Sequence, residues 1–170
     1  MIVGNGDIAN ALKLIPKITQ KKGWIFFASG VSNSQETRES EYAREKKLLL
    51  AQNKAKHLVY FGTLAVFYNP GTRYVHHKLQ MEKLVKEKFK RHTIVRIGNI
   101  AWGKNPNTLI NFMRAQKKKG VKLNILNTYR YLVEKQEFLH WIALIPDWNC
   151  EMNITGTRLK VKDIVKKYVK

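Results

Sequence analysis

The sequence predicts an α/β fold, a mostly parallel sheet with helices on both faces and a small C-terminal lobe. Three observations carry the prediction. Short apolar runs alternate with stretches of helical periodicity along the whole chain. One run, Trp24-Ile25-Phe26-Phe27-Ala28, is apolar at every position, as a strand covered on both faces must be. A glycine turn, Gly4-Asn5-Gly6-Asp7-Ile8-Ala9, joins the first run to the first helical stretch.

The first apolar run, 1–3, is very short, and the turn leads into a helical pattern over 8–15 that stops at Pro16. Residues 24–28 form the next strand, and 29–34 have loop composition. Residues 35–56 read as a long helix, acidic early and basic late, as the helix dipole favours. A strand over 58–67 ends in the turn Asn69-Pro70-Gly71. A helix over 74–89 turns Leu79, Leu84 and Val85 inward, and a strand at 93–97 follows. Beyond it the pattern predicts a helix at 108–118, a strand at 121–126, a helix at 137–145, a strand at 151–154 and a closing helix at 161–169. Residues 1–104 are assigned to the nucleotide-binding core and 105–170 to a reduced lobe packed on it as one compact unit.

At 170 residues, 44% of them hydrophobic, the chain is long enough for one real core. No run approaches the roughly 18 apolar residues of a membrane span. The opening has no basic region ahead of its apolar residues, unlike a signal peptide, and the single cysteine, Cys150, excludes an internal disulfide and a cysteine-built metal site. Together these features point to the cytoplasm. The net charge of +20 predicts attraction to polyanions. Its 24 lysines are spread along the chain, however, and no nucleic-acid-binding module surrounds them, so nucleic acid is expected to bind at most weakly and without specificity.

The glycine turn has the context of a dinucleotide fingerprint. Gly4 permits the tight turn, Gly6 lets backbone approach a pyrophosphate, and Ala9 is small enough for helix and strand to pack closely. The acid usually found about 20 residues on, to hold the adenosine ribose, is missing: after Asp7 the next acidic residue is Glu36. Only seven residues, 16–22, separate the first helix from Gly23, which leaves no room for the second and third strands of such a fold. The sheet is therefore a truncated Rossmann-like one, with its first strand exposed as an edge. Either the site takes a phosphorylated ribose against Lys21 or Lys22, or the adenosine end is poorly held.

Tyr74 and Lys78 lie one helical turn apart on one face, so that the ammonium favours the phenolate and the tyrosine can act as a base. With seven tyrosines and 24 lysines, chance supplies about one such pair, and Tyr42/Lys46 and Tyr131/Lys135 match as well. Tyr74 is singled out by its place: it opens a helix after the strand that carries Thr63, whose hydroxyl can reach the same substrate oxygen.

Here the chain resembles the extended, nucleotide-sugar-modifying branch of the short-chain dehydrogenase/reductases. The run Val59-Tyr60-Phe61-Gly62-Thr63-Leu64-Ala65-Val66-Phe67 is similar to the family's strand ending in the catalytic serine or threonine. The helix from Tyr74 through Lys78 to Glu82, and Arg96-Ile97-Gly98-Asn99-Ile100, resemble two further family segments, as do 24–32 and the tail from Glu151 onward. The resemblance implies Tyr74 as acid/base, Lys78 as the group that orients the ribose and lowers the tyrosine, and Thr63 as the group polarising the reacting oxygen. It implies a cofactor, NAD or NADP, held by Gly4, Asn5, Gly6, Asp7, Ile8, Ala28, Ser29, Gly30, Tyr74 and Lys78. Thr63 and Asn99 would face the substrate. The implied activity is on the carbinol or carbonyl of a nucleotide-linked sugar (epimerase, dehydratase or reductase), with a homodimer through the helices at 35–56 and 74–89. The chain departs from the family in the two lost strands, in Gly62 where serine is usual, in the short interval from Thr63 to Tyr74 and in the reduced lobe. A non-catalytic nucleotide-binding or regulatory protein, or a polyanion binder, are the other readings.

Other residues carry less. Adjacent His76 and His77 project in different directions on a helix, and His57, His92 and His140 lack ligand spacing, so no metal is expected. Trp141 and Trp148 flank Pro146-Asp147 and read as packing. Ser29, Ser32 and Ser34 have neither an elbow motif nor triad partners.

Overall fold

The computed structural model describes residues 1–169. Five parallel strands form the main sheet: β1 (Ile2–Val3), β2 (Trp24–Phe27), β3 (His57–Thr63), β4 (His92–Ile97) and β7 (Cys150–Ile154), in that spatial order. Between them run α1 (Asp7–Leu12), α2 (Pro16–Thr19), α3 (Glu39–Leu50) and α4 (Arg73–Lys88). The crossover from β4 to β7 carries β5 (Asn99–Ile100), α5 (Leu109–Lys118), β6 (Tyr129–Val133) and α6 (Lys135–Ala143). β8 (Thr157–Lys160) and α7 (Val161–Tyr168) close the chain. β5, β6 and β8 form a small second sheet, with β6 antiparallel to β8. The fold is a truncated Rossmann-like α/β sheet.

Alternation within the buried strands builds a core on each face. Trp24, Phe26, Val59, Phe61 and Val95 meet Leu12, Ile18, Phe138 and Ile142 from α1, α2 and α6. Ile25, Phe27, Leu58, Tyr60 and Ile94 meet Leu49, Met81 and Val85 from α3 and α4. Each such side chain, fully buried, contributes roughly 1.5–3 kcal/mol. β2 lies between the layers with all four residues buried, and β1 pairs only with β2, so it is an edge strand.

The structure differs from the sequence expectations at several places. Pro16 begins α2 rather than merely ending a helix, since proline suits the first helical position. The helix foreseen over 35–56 is shorter, because the Glu36 carboxylate accepts hydrogen bonds from the Thr37 and Arg38 amides and holds a turn ahead of it. The strand at 58–67 stops at Thr63, whose Oγ1 accepts from the Ala65 amide and starts a 3-10 turn, Leu64–Phe67. Leu79 is exposed, while Lys78, Met81 and Glu82 are buried. No strand forms at 121–126, where the apolar side chains Val121, Ile125 and Leu126 lie in solvent. Strand pairing begins at Tyr129, and Leu132 and Val133 enter the core.

Candidate functional site

A cleft of about 560 Å³ opens at the carboxyl ends of β1 to β4, the place where parallel sheets of this kind hold ligands. β1 delivers Asn5, Gly6, Asp7 and Ile8, and β2 delivers Ala28, Ser29 and Gly30. Thr63 comes from β3, Tyr74 and Lys78 from the first turns of α4, and Asn99 from β5. The residues expected to hold cofactor or substrate line this one cleft, except Gly4, which sits behind it, and Lys21 and Lys22, which lie at the amino end of β2, where Lys21 Nζ stands 3.4 Å from the Trp24 ring centroid. Gly4 adopts φ +123°, and a Cβ would stand 2.3 Å from the Ala28 carbonyl oxygen, so the turn requires glycine.

Gly6 is different. A Cβ placed on it meets nothing within 4 Å, so the room in front of it is open to a ligand. Asp7 does not face that room freely: its carboxylate accepts from the Lys104 and Asn105 amides at 2.9 and 3.0 Å, pinning the loop after β5. Asn105 also donates to Ser32 Oγ at 2.9 Å across the cleft mouth. The charged side chains lining the cleft are Asp7, Arg44, Lys78 and Arg130, so cations predominate and the lone carboxylate is already engaged. Asn99 donates to the Tyr131 carbonyl at 3.3 Å, which ties the cleft to the second sheet.

Beneath Tyr74 lies a hub that the sequence reading missed. Glu45, fully buried on α3, accepts at Oε1 from Lys78 Nζ at 3.0 Å and Tyr60 Oη at 2.7 Å and at Oε2 from the Val31 amide at 2.7 Å, with His77 Nε2 3.0 Å from Oε2. Gly30 makes space for it, since a Cβ there would stand 2.5 Å from Lys78 Nζ and 2.7 Å from Glu45 Oε1. Burial alone would raise the Glu45 carboxyl, yet Lys78, His77, Val31 and Tyr60 hold it well below the usual carboxylate range. Burial opposes the Lys78 ammonium, but Glu45 outweighs it and keeps Lys78 above the ordinary lysine value. Burial also pushes the Tyr74 hydroxyl up. Lys78 and Thr63 pull it down, Glu45 and Tyr68 push it further up, and it stands above the ordinary phenol range. Burial is the largest of these influences, and Glu45 works against the pull of the ammonium.

A second buried pair explains Gly62. Arg96 donates to Glu82 from Nε and Nη2, at 3.0 and 2.6 Å, and a Cβ on Gly62 would stand 2.7 Å from Glu82 Oε1. A serine there would collide with that carboxylate.

Neither a family model nor a curated protein matches the sequence. Solved structures do match. The Bordetella bronchiseptica enzyme WbmG, in complex with NAD and UDP, superposes at TM-score 0.63 and 17% identity, over 96% of this chain and 60% of that one. UDP-glucuronic acid 4-epimerase from Bacillus cereus, with UDP-glucuronic acid and NAD, gives 0.68 at 14% identity, over 95% and 61%. DesIV, a dTDP-glucose 4,6-dehydratase from Streptomyces venezuelae, gives 0.64 at 15%, over 93% and 58%. The chain has their fold, shortened. It spans about three fifths of the length of these proteins. Among the described residues no strand lies outside β1, so the part of the sheet beyond it is lacking. No helix among them is long and apolar enough to cross a membrane.

Proposed function

We propose that the cleft binds a nicotinamide dinucleotide and acts on a carbinol or carbonyl carbon of a nucleotide-linked sugar. The observation that carries this reading is the meeting of Thr63, Tyr74 and Lys78 in one cleft with the open room before Gly6. The residues present fit the nicotinamide and pyrophosphate half of the cofactor: Gly6 leaves backbone approachable, and Ser29, Gly30 and Lys78 border the same space. Bound there, the nicotinamide would exchange hydride with the reacting carbon. Tyr74 exchanges the proton of the attached oxygen, Thr63 polarises that oxygen, and Lys78 orients the ribose. Arg44 and Arg130 suit the phosphates of an anionic ligand, and the structural relatives with bound NAD and UDP-linked ligands support the same choice.

Titration calorimetry with NAD, NADP and UDP-sugars, together with mass spectrometry of the protein as isolated, tests the proposal. Gly6→Val is the matching variant. Its backbone is extended and its Cβ has space, so the fold should hold while dinucleotide binding is lost. The +20 charge motivates a second reading, a polyanion binder. On the favoured reading nucleic acid binds only weakly. Submicromolar, sequence-selective binding at physiological salt would reverse the ranking.

A further inference from the structure

We infer that Glu45 is a positioning residue: it pairs off the charge of Lys78, so that Tyr74 meets its substrate as a neutral phenol and serves as proton donor to a carbonyl oxygen. The inference rests on the function proposed above and narrows it, among epimerisation, dehydration and reduction, to the reductive direction. An epimerase or dehydratase must first take a proton from a hydroxyl, which needs the phenolate at the start of the cycle. A reductase needs the phenol.

Three observations lead there. First, Glu45 is fully buried and saturated: both carboxylate oxygens lie within 3.3 Å of Lys78 Nζ, and Tyr60, Val31 and His77 take up the remaining lone pairs. A carboxylate held this way is a fixed charge, and removing it from a buried pair leaves the partner uncompensated. Second, Lys78 is 2% exposed, with its Nζ 5.7 Å from the centre of the Tyr74 ring, so Glu45 and Tyr74 share one ammonium. Third, the groups facing the Tyr74 hydroxyl are Lys78 on its own helix, Glu45 from α3, and Thr63 and Tyr68 from the end of β3 and the turn after it. Lys78 is the one cation in that set and Glu45 the one anion. Burial is the largest influence on that hydroxyl and favours the neutral phenol, and Glu45 opposes the pull of Lys78.

The chemistry balances as a reduction. The Tyr74 O–H bond breaks and its proton goes to the substrate oxygen. The carbonyl carbon would accept a hydride that a bound reduced nicotinamide supplies, and the π pair of the C=O bond would become the pair of the new O–H bond. The phenolate that remains regains a proton from water.

The test is an NMR titration of protein carrying carbon-13 at the tyrosine ring carbon that bears the hydroxyl, with Tyr74→Phe identifying the Tyr74 signal. No substrate or dinucleotide is added. In the unaltered protein Tyr74 should titrate above the free-tyrosine value of about 10, and a value at or below it overturns the inference. In Glu45→Gln the freed ammonium should bring the midpoint down by about one pH unit or more, a roughly tenfold gain in phenolate below it. A smaller change in a folded Glu45→Gln protein overturns the inference. Should that variant not fold, Glu45→Asp keeps the charge but draws it back from Lys78. A fall in the same direction supports the inference, and an unchanged or higher midpoint overturns it. Failure of dinucleotide binding overturns the proposed function instead, because the titration is read without ligand.

Discussion

Around Lys78 the cleft is walled by α3, α4 and the ends of β2 and β3, and the Lys78 charge is matched by the buried Glu45, with a second buried pair, Arg96 and Glu82, nearby on β4 and α4. Beyond Gly6 the main sheet ends at the two residues of β1, which among the described residues pairs with β2 alone. One end of the site is over-determined and the other is bare. In the spatial order of this fold the strands beyond β1 form one edge, so their loss leaves β1 to β4 adjacent and the proton-handling end intact. On the proposed function, chemistry and adenosine recognition would occupy separable parts of the sheet.

The largest effect should follow from Tyr74→Phe, which removes only the hydroxyl at the matched end. Turnover should fall about 10²–10⁴-fold, as for loss of a general acid or base, while calorimetry finds dinucleotide affinity within a few-fold of the parent. Equal loss of binding would mean that Tyr74 is chiefly a wall of the cleft. Lys78→Met comes next. It strands the Glu45 carboxylate and should cost about 3–5 kcal/mol in urea unfolding at neutral pH. Because the folded carboxyl lies below its unfolded value, its stabilisation is full above the usual carboxylate range and is lost as the medium is acidified through it. The deficit of Lys78→Met should therefore narrow in acid. A deficit independent of pH would deny that charge pairing holds this end together.

A third test moves to the amino ends of the central strands, opposite the cleft. His57 is fully buried, stacked on Trp24 with ring centroids 3.8 Å apart, and its Nε2 lies 2.8 Å from Thr93 Oγ1. Burial, with Arg91 and Lys21 nearby, lowers it from 6.5 to about 4. A histidine lowered on folding supplies stability that is present above its unfolded value and falls away between 6.5 and about 4, here by on the order of 3 kcal/mol. His57→Gln should flatten that part of the stability profile and leave the Tyr74 titration where it was. Movement of the Tyr74 midpoint would show that the cleft is coupled to the amino ends of the strands.

The open end of the cleft was the more legible in sequence. Gly4, Gly6 and the missing acid can be read from spacing alone, and with them the truncated sheet. Tyr74, Lys78 and Thr63 followed from their order along the chain. Glu45 was hidden because it stands among Glu39, Glu41, Arg44, Lys46 and Lys47, a stretch that reads as a solvated helix face. The signal was positional: Tyr42, Glu45 and Leu49 fall on one side of α3, and all three are buried. A carboxylate on an apolar stripe needs a buried partner, and Lys78 and His77 on α4 are that partner. β6 was missed for another reason. Residues 121–126 look more strand-like than Tyr129–Val133, but only the latter has edges to pair with, β5 on one side and β8 on the other.

The smallest effect expected is the one that isolates the bare end. In an intact dinucleotide site, strands beyond the first and an acid on the ribose hydroxyls hold the adenosine. Here the next acidic residue after Asp7 is Glu36, and Glu36 is already committed to Arg38 at 2.8 Å. Removing the adenosine half of the cofactor should therefore change little. Nicotinamide mononucleotide should bind within about threefold of the dinucleotide, some 0.6 kcal/mol, in side-by-side calorimetry. Lys21 and Lys22, expected as a seat for a phosphorylated ribose, stand instead at the amino end of β2, with Lys21 Nζ 3.4 Å from the Trp24 ring centroid, at the other end of the strand from the cleft. NADP should therefore bind within about threefold of NAD, and Lys22→Ala should leave both unchanged. A dinucleotide preference of a hundredfold or more over the mononucleotide, indifferent to the extra phosphate, would require an adenosine pocket on the exposed side of β1 and would dissolve the contrast between the two ends of the cleft.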